Sequence, residues 1–468
     1  MRHIEILDTT LRDGEQTPGV RFSLSHKIEI AKQLDRLGVD CIEAGFPASS
    51  NGDFDAVAAI SREVGCAVQA LARATKNDID CAAEALKEAK HPIIHVFIAT
   101  SDLHLEYKLK MTREEALDHI SESVAYAKSR CERVQFSPED ATRSDREFLA
   151  KAVKRAVDAG ADIINIPDTV GYTVPSEYAD LVRYLLDNVE GLSDKVLCVH
   201  CHNDLGLAVA NSLCAVAAGA TRIECTVNGL GERAGNASLE EIVMALRVRR
   251  DITGADTAIN TKEILRTSRM VSSLSGVDIA LNKPVVGSNA FSHESGIHQH
   301  GIMENRRTYE IMDPEEIGLD KSTLVLGKLS GRHAYSERIE KLGYSLDGAG
   351  IDATFNRFKE IASKKVAVTD SDIRAIVNEY LDGLEGKYWI ETFQIQSGNH
   401  MKAMALVSLK DRVTDRVFTE SAPGEGPIDA AFNTINRIAN AESVVLESYD
   451  LKAVTEGADA LGDRKSVV

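Results

Sequence analysis

The first ~250 residues repeat one pattern eight times: a short apolar run, a polar loop, then a longer amphipathic stretch. The apolar runs predict strands over 4–8, 41–45, 67–71, 93–99, 133–137, 163–167, 196–200 and 222–227. Successive parallel strands need a crossover long enough to hold a helix, and the intervening stretches supply one each time. Eight such units close into a (β/α)8 barrel, a single domain of ~250 residues. Gly38, Gly160 and Gly219 precede strands at places that suit the residue just past a helix end.

A barrel of this kind gathers the C-terminal ends of its strands at one mouth, where loop residues do chemistry. Polar residues cluster at those ends: Arg12 and Asp13, Glu43, Arg73, His95, Glu139, Asp168 and Thr169, His200 and His202, and the run 228–236. His200 and His202 alternate on one strand, so both point the same way, roughly 6–7 Å apart at Cα. Two imidazoles at that spacing can grip one ion. Asp13 is the best-placed anion and Asn236 follows the last strand. Two imidazoles, a carboxylate and an amide oxygen make a mixed N/O site with open positions, suited to Zn²⁺, Mn²⁺, Fe²⁺ or Mg²⁺. Such an ion can polarise a chelated carbonyl. Arg12, beside it, suits stabilisation of a developing enolate or alkoxide, although the same guanidinium could serve a structural ion pair. Glu43 and Glu139 are acids at the mouth, and His95 and Thr169 polar neighbours. His298 falls outside the barrel, in a Gly- and His-containing loop.

Two tempting motifs are set aside. Gly229, Gly231 and Gly235 are spaced GxGxxxG, one residue too long for a dinucleotide fingerprint, and read as a tight turn at the mouth. Cys198 and Cys201 make a CxxC, but on a strand they face opposite sides.

Past residue 251 the pattern changes. Residues 256–384 read as helical linker subdomains. Residues 385–468 read as a small α+β domain, with strands over 388–395, 401–409 and 416–420, a turn at 423–427, a helix over 428–438 and a strand over 443–450. The expected division is therefore 1–255, 256–384 and 385–468. The net charge of −18 argues against a nucleic-acid surface. No apolar run approaches the ~18 residues of a membrane span. Eight scattered cysteines and the lack of an apolar leader suit a reducing cytoplasm.

The runs DTTLRDGEQTPG (8–19), EAGFPASSNGDF (43–54), SPEDATRSD (137–145), PDTVGY (167–172), HCHNDLG (200–206), NGLGERAGNASLEE (228–241) and NKPVVGSNAFSHESGIHQHG (282–301) resemble those of the 2-isopropylmalate synthases. These belong to the DRE-TIM metallolyase superfamily, with citramalate and homocitrate synthases as close relatives. The resemblance covers about residues 1–450. It implies Asp13, His200, His202 and Asn236 as ligands of a divalent metal (Mn²⁺, Mg²⁺ or Zn²⁺), and allows for a monovalent cation activator. It implies Arg12 as the enolate-stabilising residue, Glu139 and His298 as an acid–base pair with His298 from the partner subunit, and Glu43, His95 and Thr169 beside the keto acid. The implied reaction condenses acetyl-CoA with 2-oxoisovalerate to 2-isopropylmalate and CoA, the first committed step of leucine biosynthesis, in a homodimer or dimer of dimers. The GFPASSNGDF segment favours this branch over the citramalate branch, which would take pyruvate. A homocitrate synthase would need an extra cationic partner that the sequence does not place. The region 385–468 resembles a leucine-binding regulatory domain of two βββα units. Here the second unit stops early, which predicts a truncated domain and leaves the leucine effector in question. A retro-aldol lyase and a non-catalytic amino-acid sensor are the competing readings from other classes.

Overall fold

After the first, each barrel strand follows a helix that has been stopped and turned. Helix α1 (Leu24–Leu37) begins at Ser23, whose hydroxyl accepts from the His26 amide, and ends at Gly38 in the left-handed region, φ 90°. A Cβ there would also press on the Ala258 carbonyl at 3.3 Å, so glycine answers both the turn and the packing. Side-chain caps open later helices in the same way, at Ser50, Thr75, Thr112 and Asp145. Thr112 forms a reciprocal capping box with Glu115.

The computed structural model describes residues 1–293, 296–319, 330–344, 346–363, 368, 370–385, 388–398, 401–439, 448–453 and 462–467. Its contacts divide into two units, Met1–Phe291 with Glu310–Ser322, and Ser292–Tyr309 with Thr323–Val468.

The first unit is a closed parallel barrel of eight strands. They are β1 (Glu5–Asp8), β2 (Cys41–Gly45), β3 (Ala67–Arg73), β4 (Pro92–Ala99), β5 (Arg133–Glu139), β6 (Ile163–Asp168), β7 (Val196–Cys201) and β8 (Arg222–Cys225). Neighbours in sequence are neighbours in the sheet, and β8 pairs back onto β1. All eight expected strands are present, with ends shifted by one or two residues. An additional short parallel pair, Arg2–His3 with Ala255–Asp256, joins the start of the chain to the segment after the last barrel helix.

The alternation of side chains sets the barrel in layers. Leu7, Cys41, Ala67, Ile93, Ile163 and Cys198 pack as one apolar cluster at the floor. Two residues further along the same strands stand Glu43, Gln69, His95, Asn165 and His200, a polar layer with His200 the most exposed at 6%. Cys198 therefore belongs to the floor. The outward faces of the strands carry the branched residues, such as Ile42, Val68, Ile94 and Val134, that pack under the helices. A polar second layer inside a barrel costs burial energy unless every group finds a partner, so its hydrogen bonds are what to account for next.

In the second unit, helix Gly296–Glu304 takes up most of what the sequence presents as a loop. Helices Arg332–Lys341, Gly348–Ala362 and Asp370–Glu385 match the helical expectation for the linker. Their cluster centres on Tyr335, Phe358 and Val377. The C-terminal region forms an antiparallel sheet of β9 (Tyr388–Gly398), β10 (Met401–Asp411) and β11 (Val417–Gly424). One face is covered by helix Pro427–Ala439, through Ala430 and Ala431 against Ala403, Ala405, Val407 and Leu409. The expected strand over 443–450 falls partly outside the described residues, and Ser448–Ala453 is a strand. It pairs with Gly462–Val467, which the sequence presents as a plain terminus. Its charged residues, Asp463, Arg464 and Lys465, lack the apolar alternation that signals a strand, and cross-strand pairing sets its conformation instead.

Candidate metal centre at the barrel mouth

His200 on β7 and His202 just past its end both point into the barrel, where the rings meet edge-on with centroids 4.8 Å apart. Each points Nε2 at the same atom: Asp13 Oδ2 lies 3.4 Å from His200 Nε2 and 3.5 Å from His202 Nε2. All three residues are buried, and one ligand atom from each lies within 4.8 Å of the others. Asp13 Oδ2 has no hydrogen-bond partner. Neither does Asn236 Oδ1, whose amide is fixed by Nδ2 donating to the Leu230 carbonyl at 2.9 Å. Buried oxygens left bare beside two imidazoles are what a cation-binding set looks like before loading.

Charge distribution supports ligation. Burial alone would raise the Asp13 carboxyl, but Arg12, His200 and His202 hold it below the usual carboxylate range. Burial, with His200 alongside, pushes His202 down to about 4, so its ring stays neutral and keeps a lone pair. Burial works against the charged form of His200, yet Glu224 and Asp13 carry it upward. His200 Nδ1 sits 3.1 Å from Glu224 Oε1.

Arg12 is gripped on three sides. Nε donates to Glu43 Oε2, Nη2 donates to Glu224 Oε1 at 3.0 Å, and Nη1 lies 3.3 Å from Asp13 Oδ1. Burial opposes its charge, but these three carboxylates raise its pKa above the ordinary arginine value. Glu43 is itself saturated: it accepts from Thr9 Oγ1 at 2.8 Å, Gln69 Nε2 at 3.0 Å and His95 Nδ1 at 2.6 Å as well as from Arg12. Burial would raise Glu43, and Arg12 and His95 bring it well below the ordinary value.

Above this layer lies a cavity of about 230 Å³. Arg12, Asp13, His95, Glu139, Thr169, His200 and His202 all reach its wall, so most of the residues expected at the site converge there. Two do not. Glu43, expected beside a keto acid, lies beneath Arg12 and His95 with both oxygens occupied. Asn236 faces a separate cavity of about 160 Å³ lined in part by the 228–236 run. His298 belongs to the second unit, where its ring lies 4.3 Å from Tyr309. Lys108 Nζ donates to both Glu139 oxygens, at 2.6 and 2.9 Å, and Thr169 Oγ1 accepts from the Asp140 amide at 3.0 Å.

Sequence reasoning missed Glu224, Asn165, Ser137 and Gln69. All four lie inside strands, where the search looked past strand ends. The available signal was a polar side chain at an inward position of a buried strand, as in the Arg-Ile-Glu-Cys run 222–225.

The run 228–236 is the expected tight turn. Gly231 leaves room for the Asn236 amide, since a Cβ there would fall 2.2 Å from Nδ2. Gly235 is left-handed at φ 86°, and its Cβ would fall 2.0 Å from the Gly229 carbonyl oxygen. Gly235→Ala is expected to destabilise the protein by about 1–3 kcal/mol. It should also weaken Mn²⁺ binding, because Asn236 adjoins it; a thermal melt and a Mn²⁺ titration check both.

The barrel, the Asp–His–His cluster and the adjacent Arg define a class. Residues 3–271 match the family model described as HMGL-like. Barrels of HMG-CoA lyases from Pseudomonas aeruginosa and Brucella melitensis align with TM-scores of 0.52 and 0.50 at 19% and 21% identity, each covering 59% of this chain and 95% and 100% of theirs. That likeness concerns the fold. Residues 285–366 match the homocitrate synthase post-HMGL domain-like family, and 367–465 the LeuA allosteric (dimerisation) domain. 2-Isopropylmalate synthases are similar over nearly the whole chain: that of Pyrococcus furiosus is 53% identical, covering 99% of this chain and 92% of its own. Those of Ruminiclostridium cellulolyticum and Staphylococcus carnosus are 52% and 51% identical, covering 99% and 98% of this chain and 90% of their own. The chain belongs to the 2-isopropylmalate synthase family.

Proposed function

We infer that the chain is a metal-dependent acyltransferase that joins acetyl-CoA to 2-oxoisovalerate, releasing 2-isopropylmalate and CoA in leucine biosynthesis. The observation that carries this reading is the bare Asp13 Oδ2 between two imidazoles, one residue from a guanidinium held at the wall of the same small cavity.

Asp13, His200, His202 and Asn236 are assigned as the protein ligands of one divalent cation. A bound divalent cation supplies Lewis-acid polarisation of a carbonyl chelated at its open positions. Arg12, fixed by Glu43 and Glu224, presents its remaining donors to an oxygen that gains charge as the acetyl methyl loses a proton. Glu139 and His298 are assigned to proton transfer. One takes the methyl proton, and the new C–C bond leaves an alkoxide that the other protonates. Water then cleaves the thioester, and sulfur leaves as the CoA thiol. Thr169 and His95 are assigned to the oxo acid, His95 through its ring since both its nitrogens are held by Glu43 and Ser137, and Leu71 and Phe97 in the same wall offer its branched end an apolar surface. Glu43 acts through Arg12 and His95. The region 385–468 is assigned the regulatory role, with leucine its candidate effector.

No described helix is long and apolar enough to cross a membrane. The lyase reading loses ground because relatives at about half identity are synthases over their full length. Product analysis tests the function. Acetyl-CoA with 2-oxoisovalerate, pyruvate or 2-oxoglutarate should yield 2-isopropylmalate as the dominant product by mass spectrometry. Predominant citramalate would move the chain to the pyruvate branch. If His298 acts in trans, mixed dimers of His298→Ala and Asp13→Ala chains should recover part of the activity that each variant lacks alone. Verified mixed dimers with no recovery would remove the shared site.

A further inference from the structure

The polar layer beneath the cavity is a closed ring of hydrogen bonds. Starting from Arg12, Nε donates to Glu43 Oε2. Glu43 Oε1 meets His95 Nδ1 at 2.6 Å, and His95 Nε2 meets Ser137 Oγ at 2.6 Å. Asn165 Nδ2 donates to Ser137 Oγ at 3.0 Å and to Glu224 Oε2 at 2.9 Å. Glu224 Oε1 accepts from Arg12 Nη2 at 3.0 Å and closes the circle. The same Oε1 stands 3.1 Å from His200 Nδ1. Within the ring, Glu224 alone touches both the guanidinium and a proposed metal ligand.

The donor pattern around the ring is directional. Two carboxylates can only accept, so His95 donates from Nδ1 and accepts a hydrogen bond from the Ser137 hydroxyl at Nε2. His200 Nδ1 faces the same carboxylate at ion-pair distance, 3.1 Å from Glu224 Oε1, without an aligned hydrogen bond. Ligation through Nε2, the nitrogen facing Asp13, requires the tautomer with the lone pair there, and a carboxylate beside Nδ1 favours it.

We propose that Glu224 is a positioning residue that couples metal loading to the setting of Arg12. Its Oε1 orients the His200 ring for ligation and holds one Arg12 nitrogen, and its Oε2 is anchored by Asn165. The inference rests on the metal assignment above and extends it to a carboxylate in the wall of the same cavity.

Glu224→Gln tests it, measured as Mn²⁺ affinity of metal-stripped protein by electron paramagnetic resonance, with steady-state kinetics alongside. The amide keeps the shape but cannot accept at both ends, so Mn²⁺ affinity should fall about 10- to 100-fold. At saturating Mn²⁺ a loss of kcat should remain, because Arg12 has lost a charged partner, while KM for the oxo acid moves little. Glu224→Asp keeps the charge and shortens the reach, and should lose metal affinity to a smaller extent. Wild-type Mn²⁺ affinity in Glu224→Gln overturns the proposal. So does a Glu224→Gln chain that fails to fold together with a Glu224→Asp chain that binds Mn²⁺ as the parent does, since the role is then structural. The metal titration does not involve the oxo acid. A parent that binds Mn²⁺ in a Glu224-dependent way yet condenses no substrate would defeat the functional reading and leave this one standing.

Discussion

Asp13→Asn is expected to weaken divalent-metal binding by about two orders of magnitude or more and to lower kcat/KM by about a thousandfold. The first figure follows from replacing the only carboxylate in the Asp–His–His cluster by a neutral amide, where even an outer partner of a metal ligand is worth about 10–100-fold. The second follows from losing a Lewis acid worth several kcal/mol, at about 1.4 kcal/mol for each tenfold in rate. Folding should survive. Asn preserves volume, and burial opposes the charge that is removed even though Arg12 and the two histidines favour it. Isothermal titration with Mn²⁺ and a thermal melt, each on stripped protein, separate the two effects. Equal Mn²⁺ affinity in variant and parent would remove Asp13 from the ligand set.

Arg12→Lys should cost about 10²–10³ in kcat with the fold intact, whereas Arg12→Met should also destabilise the chain by about 3–5 kcal/mol. Lysine retains the charge but offers donors from a single nitrogen. It cannot hold Glu43, Glu224 and Asp13 while presenting a further donor to the reacting oxygen. Loss of one well-placed oxyanion donor costs about that much in rate. Methionine leaves Glu43 and Glu224 buried without their common cation, which is where the stability penalty arises. Kinetics at saturating metal, with melts of both variants, check the pair. A lysine variant with parental kcat would show that Arg12 serves the fold alone.

The barrel was legible because its signal is repeated: eight apolar runs, each followed by a helix. His200 and His202 were legible because alternation on a strand puts them on one face whatever the surroundings. Glu43 shows where local reasoning stops. The family resemblance implied a place for it beside the substrate, but Thr9, Gln69, His95 and Arg12 converge on it from two other strands and the first loop, and such convergence is not written in any one segment. Glu224 was overlooked for the opposite reason: inside a strand it reads as part of the scaffold. The helix at Gly296–Glu304 was also missed, since Gly296, Gly301 and two histidines lower the local helical preference.

The most direct measurement is CoA thiol release from acetyl-CoA and 2-oxoisovalerate before metal removal, after it, and after addition of Mn²⁺ or Mg²⁺. The account predicts release that falls to background on stripping and returns with one ion bound per chain in the parent, but does not return in Asp13→Asn. Release that continues undiminished in rigorously stripped protein would contradict it.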